Sequence, residues 1–262
     1  MTARAVLVTG AAGGLGAAIA ARFASEGDRV GLLDLDGEAA RRTACDLPGE
    51  AVGLTGSVSD PASVEVVLDE FGTPDVVVNN AGIVRFGPLT DLDLTDWHSV
   101  LDVNLTGTFV VARAVARRWL RAGTAGVVVN VTSMNGVAPG PNAGAYGATK
   151  AAVALLTQQM ALEWGAAGIR VNAVAPGLID GGMSAPIYAD TATRDARASK
   201  VPIGRLGTPG DVAEAVWWLS SDASAYVTGQ QLLVDGGVTM AMIANLPRPG
   251  SVDGVGHPGV RP

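Results

Sequence analysis

Tyr146 and Lys150 stand four residues apart in "AYGATKAAVALLTQQMALEW", and the pair calls for a chemical explanation. The chain holds 16 arginines but only two lysines, and only three tyrosines. On a helix this spacing places both side chains on one face. A free phenol titrates near 10, and a nearby ammonium favours the phenolate. Drawing that pKa to neutrality takes roughly 3 units, or about 4 kcal/mol, and makes tyrosine a usable general base. A lysine head carries three donors on a compact point, so it can hold a sugar hydroxyl while facing the phenol; the flat fork of arginine suits that double task less well. The same spacing would also serve an exposed helical pair, and the other motifs must decide between the two.

The second constellation is "TGAAGGLG" (9–16), which follows an apolar run and opens a helical pattern. Gly10, Gly14, Leu15 and Gly16 permit a tight turn and close backbone approach. The helix N-terminus then offers free N–H groups and a partial positive charge to a pyrophosphate. Asp34 closes the second apolar run 18 residues past Gly16, where an acid meets adenosine ribose hydroxyls. It also repels a 2′-phosphate, and Leu35 beside it brings no cation, so NAD is expected over NADP. Asp36, rather than Asp34, is placed to cap the next helix.

These groups need a frame, and the apolar pattern supplies one. Continuous runs at 4–9, 29–34, 51–55, 75–79, 126–132, 169–175 and 231–235 read as strands covered on both faces. Helical patterns lie between them, near 15–26, 36–46, 61–71, 95–120, 145–165 and 209–220. Strict β-α alternation predicts an α/β fold, a doubly wound parallel sheet of seven strands with helices on both faces. Residues 180–205 show no strand pattern and read as a mobile-looking insertion, a substrate lid. Residues 240–262 carry four prolines and four glycines and read as a C-terminal extension to a single 1–239 domain.

Composition excludes several functions. Of 262 residues 48% are apolar but only 5% aromatic, and the net charge of −7 argues against nucleic acid as a partner. One cysteine, Cys45, and two histidines, His98 and His257, leave no disulfide and no evident metal set; His98 is expected on a helix surface. The N-terminus could pass for a signal peptide, but glycines interrupt its apolar core. With no apolar run approaching membrane length, a cytoplasmic protein is expected.

The motifs together resemble the short-chain dehydrogenase/reductase family over nearly the whole chain. "TGAAGGLG" is similar to its glycine motif, "NNAG" (79–82) to the end of its fourth strand, and "VNLTGTF" (103–109) to the segment with its catalytic Asn. "VTSMNG" (131–136) and "YGATK" carry its Ser, Tyr and Lys, while "APG" (175–177) and "VTGQQLLVDGG" (227–237) match its late cofactor loop and last strand. The resemblance implies an NAD-dependent interconversion of a secondary alcohol and a ketone. Tyr146 would be the general acid/base, Ser133 would bind the substrate oxygen, and Lys150 would lower the Tyr146 pKa and hold the nicotinamide ribose. Asn104 would hold a water linking Lys150 to solvent. Asn80, Ala81, Gly82, Pro176 and Gly177 would line the cofactor.

Three departures from the family pattern stand out. Ser57 occupies the place of an adenine-binding Asp, leaving adenine to Ser57 and Val58. Gly181 replaces a Thr, leaving the carboxamide to backbone near Ile179. The chain also runs on past the usual end. An NADPH-dependent ketoreductase and a non-catalytic NAD-binding module are the competing readings. A sugar-nucleotide epimerase has a different glycine spacing, and an enoyl reductase a longer Tyr-to-Lys spacing. The substrate pocket is expected to use Asn135 to Asn142, Gly181 to Lys200 and Arg85. Without an evident anion clamp, a neutral and cyclic alcohol is expected. The resemblance further implies a homotetramer paired through the helices near 95–120 and 145–165, with the tail (Met240, Met242, Ile243, Leu246) packed on a neighbour.

Overall fold

In the computed structural model, which describes residues 3–241, the strands are β1 (Ala5–Thr9), β2 (Arg29–Asp34), β3 (Ala51–Thr55), β4 (Val76–Asn79), β5 (Gly126–Val131), β6 (Ile169–Pro176) and β7 (Gln231–Val234). They form one seven-stranded sheet in the order β3-β2-β1-β4-β5-β6-β7, parallel at every pairing. Successive strand side chains point to opposite faces, and here both faces are buried. Val6, Val8, Val30, Leu32, Val76 and Val78 join one core with Ile19, Phe23 and Val216. Leu7, Leu33, Val77 and Val128 join the other with Leu68, Val111 and Trp119. Apolar runs without alternation follow from that double coverage.

The helices are α1 (Gly14–Ser25), α2 (Gly37–Cys45), α3 (Pro61–Phe71), α4 (Leu94–Leu101), α5 (Thr108–Ala122), α6 (Tyr146–Trp164), α7 (Ala185–Tyr188), α8 (Thr191–Ala198) and α9 (Pro209–Ser220). Local chemistry sets several starts. Asp36 accepts from the Ala39 N–H, as expected of a cap. Pro61 and Pro209 sit in first turns, where the missing N–H costs nothing. Thr208 and Asp211 cap α9 reciprocally, and Arg205 donates to both Asp211 oxygens at 2.8 Å.

Three expectations need correction. The single helix near 95–120 is two α-helices joined by a π-helical turn, Asp102–Gly107. Its cause is tertiary: Asn104 reaches out to the Ile83 backbone, and Gly107 approaches Val58 so closely that a Cβ would lie 2.6 Å from Cγ2. Leu94–Ala122, with a mean hydropathy of 1.3 in its most apolar window, is also long and apolar enough to cross a membrane by length and composition. It is a core helix here, packed on α3, β4 and β5. Finally, the expected helices omit two: α7 and α8 form within 180–205, where no strand forms, and Asp180 pairs with Arg194 of α8 at 2.6 Å. His98 lies exposed on α4, and Met240 is exposed; Met242, Ile243 and Leu246 lie outside the described residues.

The order of the sheet places the site. The chain runs outward from β1 to β3, then returns to β4 on the other side of β1. Loops on the two sides diverge at this switch point, and the crevice between them lies beyond the carboxyl ends of the strands.

Candidate active site

A cleft of about 750 Å³ opens at that place. It is lined by every expected cofactor residue: Gly10, Gly14, Leu15, Gly16, Asp34, Leu35, Ser57, Val58, Asn80, Ala81, Gly82, Pro176, Gly177 and Ile179. Ser133, Tyr146 and Lys150 line it too, while Asn104 lies just behind the wall, fully buried.

The glycine turn leaves no room for side chains. Gly10 and Gly14 take left-handed backbone, at φ 64° and 56°. A Cβ on Gly10 would stand 2.7 Å from Ala81 Cα, and one on Gly16 would stand 2.2 Å from the Gly10 carbonyl oxygen. Thr9 Oγ1 accepts from the N–H groups of Asn80 and Ala81 at 3.1 and 3.0 Å. Asn80 Nδ2 returns bonds to the Thr9 and Gly10 carbonyls, each at 3.0 Å. The N-terminus of α1 has no side-chain cap and no acidic residue in its first turn. Free N–H groups at a helix N-terminus, on a turn that Gly10 and Gly16 keep tight, are what a dinucleotide pyrophosphate requires.

Asp34 is held for its task. One carboxylate oxygen accepts from the Ala12 N–H at 3.0 Å, the other from the Asp36 N–H at 3.1 Å. Leu35 beside it is exposed. Ser57 gives its N–H to Ser63 Oγ and shares a hydroxyl bond with Ser59. At the far end, Gly207 bonds to the Leu178 carbonyl and receives the Asp180 N–H. Both polar backbone groups of Ile179 are thereby left without a backbone partner among the described residues. The missing Thr has a steric reason: a Cβ on Gly181, where φ is 154°, would meet Pro209 Cγ at 2.9 Å.

The expected reacting side chains converge from the end of β5 and from α6, with Asn104 behind them in the π turn. Ser133 follows β5 in extended backbone, and its Oγ accepts from the Asn135 N–H at 3.1 Å. Tyr146 begins α6, and its phenol faces Ser133 closely enough for that hydroxyl to act on its pKa. Lys150, one turn on, is 3% exposed; its Nζ donates to the Val131 carbonyl at 2.8 Å and lies 5.6 Å from the Tyr146 ring centroid. Gly82 separates that ammonium from Asn104: a Cβ there would lie 3.4 Å from Lys150 Nζ and 3.3 Å from Asn104 Oδ1.

Two expected roles change in the chain by itself. Burial pushes the Tyr146 phenol up from its ordinary value, against the lowering effect of the Ser133 hydroxyl, rather than Lys150 pulling it down. Asn104 spends its side chain on structure: Oδ1 accepts from the Ile83 N–H, and Nδ2 donates to the Ile83 carbonyl and to Thr149 Oγ1. Its carbonyl, in the π turn, accepts from Thr108 Oγ1 at 2.8 Å. Of the expected pocket residues, Asn135, Met183, Ile187 and Tyr188 line the cleft. Arg85 does not, being engaged with Asp96, and neither does Asn142. Phe86 and Arg197 line it without having been singled out. Arg197 falls within the expected lid, but no local pattern marks it as inward-facing.

A doubly wound sheet with a glycine turn at its switch point, and a Ser, Tyr and Lys beside it, defines a dinucleotide-dependent oxidoreductase. Comparisons agree. A family model described as Enoyl-(Acyl carrier protein) reductase matches residues 10–239. The 3beta-hydroxysteroid dehydrogenase 1 of Eggerthella lenta is 41% identical over 243 residues, 90% of this chain and 93% of that protein. The crystal structure of a proposed 2-deoxy-D-gluconate 3-dehydrogenase from Agrobacterium tumefaciens with bound NADP superposes with a TM-score of 0.83 at 39% identity, over 90% and 96% of the two chains. That of the 3-ketoacyl-(acyl-carrier-protein) reductase from Brucella melitensis complexed with NADH gives 0.82 at 32%, over 90% and 98%. The chain belongs to the short-chain dehydrogenase/reductase family of NAD(P)-dependent oxidoreductases.

The buried ammonium generates a prediction. Burial lowers the Lys150 pKa from 10.5 to about 8, so the charged lysine opposes folding. The penalty, of order 3 kcal/mol, is fully present below pH 8 and fades as pH rises towards 10.5. Lys150→Met removes it and loses one charge-assisted hydrogen bond, worth about 1.5–3 kcal/mol. The variant is therefore expected to be inactive yet no less stable at pH 7, with a gain of at most about 1.5 kcal/mol that shrinks on alkaline titration. Urea unfolding of both proteins across that range checks the sign.

Proposed function

We propose that the protein interconverts a secondary alcohol and a ketone with NAD, Tyr146 acting as the proton-transfer group. The observation that carries this reading is the convergence of Ser133, Tyr146 and Lys150 in the cleft that holds Asp34 at its adenosine end. A bound nicotinamide supplies the hydride acceptor or donor. Gly10 to Gly16 and the α1 N-terminus hold the pyrophosphate, Asp34 the adenosine ribose, and Ile179 backbone the carboxamide. Ser133 Oγ orients the substrate oxygen, and Tyr146 Oη takes the carbinol proton on oxidation or returns it on reduction. Lys150 Nζ has room beside Gly82 to turn from the Val131 carbonyl to a ribose hydroxyl, bringing its charge to bear on the phenol. Asn104 keeps the Gly82–Ile83 backbone in place beside it.

The preference for NAD rests on charge. The related structures hold NADP in one case and NADH in the other, so local residues must decide. At the adenosine end the cleft is lined by Asp34 and Leu35 with no cation, and a 2′-phosphate there would meet a fixed carboxylate. The four-residue Tyr-to-Lys spacing favours dehydrogenation at a carbinol over enoyl reduction. Apolar Val84, Phe86, Met183 and Ile187 in the wall suit a cyclic alcohol, in keeping with the steroid named for the Eggerthella relative. The assembly proposed is a homotetramer. Phe109 and Leu120 on α5, and Leu155 and Leu162 on α6, are large apolar side chains in solvent, with small Ala148 and Ala151 exposed on α6.

A panel of secondary alcohols, assayed by NADH appearance at alkaline pH, tests the reaction. Tyr146→Phe is expected to keep the fold and dinucleotide binding but to lower kcat by about 10²–10⁴-fold; wild-type turnover in this variant would falsify the mechanism. Asp34→Ala with Leu35→Arg is expected to move the ratio of kcat/KM for NADP over NAD upward by at least about tenfold, a 1.4 kcal/mol change, and a wild type that already prefers NADPH overturns the reading of Asp34. Light scattering at micromolar protein is expected to give four times the chain mass, and a monomer contradicts the assembly.

A further inference from the structure

Three charged side chains line the cleft: Asp34, Lys150 and Arg197. The first two have roles in the reading above, and the third has none. Arg197 stands in the last turn of α8, its guanidinium carbon 5.6 Å from the centroid of the Tyr188 ring. Tyr188 is itself buried, and the guanidinium lies over its ring within cation–π range. Among the described residues no carboxylate and no hydrogen-bond acceptor satisfies this guanidinium. Arg194, one turn earlier on the same helix, is paired with Asp180 at 2.6 Å, so of the two arginines on α8 one is neutralised and the other has no such partner among the described residues.

An arginine cannot shed its proton to relieve the situation. Stacking on an aromatic ring uses the flat face of the guanidinium and leaves the N–H edge available. Phe86, Met183 and Ile187 line the same cleft, and a hydrogen bond from a charged guanidinium is roughly twice as strong as one between neutral groups. Among the described residues no second cation lines this half of the cleft, which matches a single negative charge rather than a phosphate dianion. We propose that Arg197 binds a carboxylate on the substrate, so that the protein acts on hydroxy acids and keto acids whose carboxylate is separated from the carbinol carbon by an apolar body. Carbinol and carboxylate are read from different walls, the first by Ser133 and Tyr146 at β5 and α6, the second by the lid. This replaces the neutral substrate expected from sequence, and it rests on the reaction proposed above.

The test uses 3- and 4-hydroxycyclohexanecarboxylate, their methyl esters and cyclohexanol, oxidised with NAD by wild type, Arg197→Gln and Arg197→Lys. Wild type is expected to prefer each acid over its ester by about 10- to 100-fold in kcat/KM, the range of a charged hydrogen bond. In Arg197→Gln the acids lose most, chiefly through KM, so that the acid-to-ester ratio falls towards one; Arg197→Lys recovers part of it. A wild type that favours the esters overturns the proposal. So does an Arg197→Gln loss that is equal on acid and ester, or that falls on the KM for NAD, since the guanidinium then serves the fold or the cofactor. Absence of turnover with every alcohol is a different failure: it removes the proposed reaction, and the substrate assignment with it.

Discussion

The Thr9 hydroxyl receives the N–H groups of Asn80 and Ala81, and the geometry of the cleft hangs on those two bonds. They cross the switch point, where β1 and β4 are neighbours but their following loops turn to opposite faces. Left alone, the ends of two such strands would splay. Here they are drawn so close that Gly10 has no space for a side chain, and the Asn80 amide closes the ring by bonding back to Thr9 and Gly10. The glycine turn that would hold a pyrophosphate and the segment leading to Gly82 and the lysine are thus one hydrogen-bonded unit. A shift in either moves both.

The chemistry is set into this unit at a cost in stability. Lys150 is buried with one carbonyl as its hydrogen-bond partner among the described residues, and Tyr146 has its phenol raised by burial. A fold selected for stability alone would fill both places with apolar side chains. Several buried polar groups elsewhere are better served: Asn130 donates to Thr157 and accepts from Asn79, and Arg170 donates to the Leu219 and Ser221 carbonyls. Asn79 Oδ1 and Trp217 Nε1 are exceptions, buried without a partner among the described residues.

Much of this was legible in the sequence, for reasons particular to each part. The strand 29–34 is bounded by Asp28 and Leu35-Asp36, and 51–55 by Pro48-Gly49 and Gly56; both match the structure end for end. The reacting Ser, Tyr and Lys and the glycine turn are short-range patterns, so they survive reading without coordinates. What failed depended on distant partners. The π turn exists because Asn104 meets Ile83 and Thr149, and Gly107 meets Val58. The helices α7 and α8 are short and α8 is polar, with no apolar stripe to announce it. Gly181 read as a lost contact until Pro209 was seen against it. Arg85 turned to Asp96 and Arg197 to the cleft, a difference that composition does not record.

The π turn has a mechanical meaning. A regular helix advances about 100° per residue, and a wide turn takes up one extra residue without lengthening the rod by a full step. The helical rod from Leu94 to Ala122 therefore changes phase part-way along. Its front half is keyed to the loop that Asn104 clamps, and its rear half is keyed to the sheet through Val111, Val115 and Trp119 on one side, presenting Phe109 and Leu120 on the other. Removing a residue within 102–107 would restore an unbroken α-helix but rotate one half against the other. The clamp behind the reacting groups and the outward apolar face are thus set by a single angular offset, and neither can be re-indexed while the other is kept.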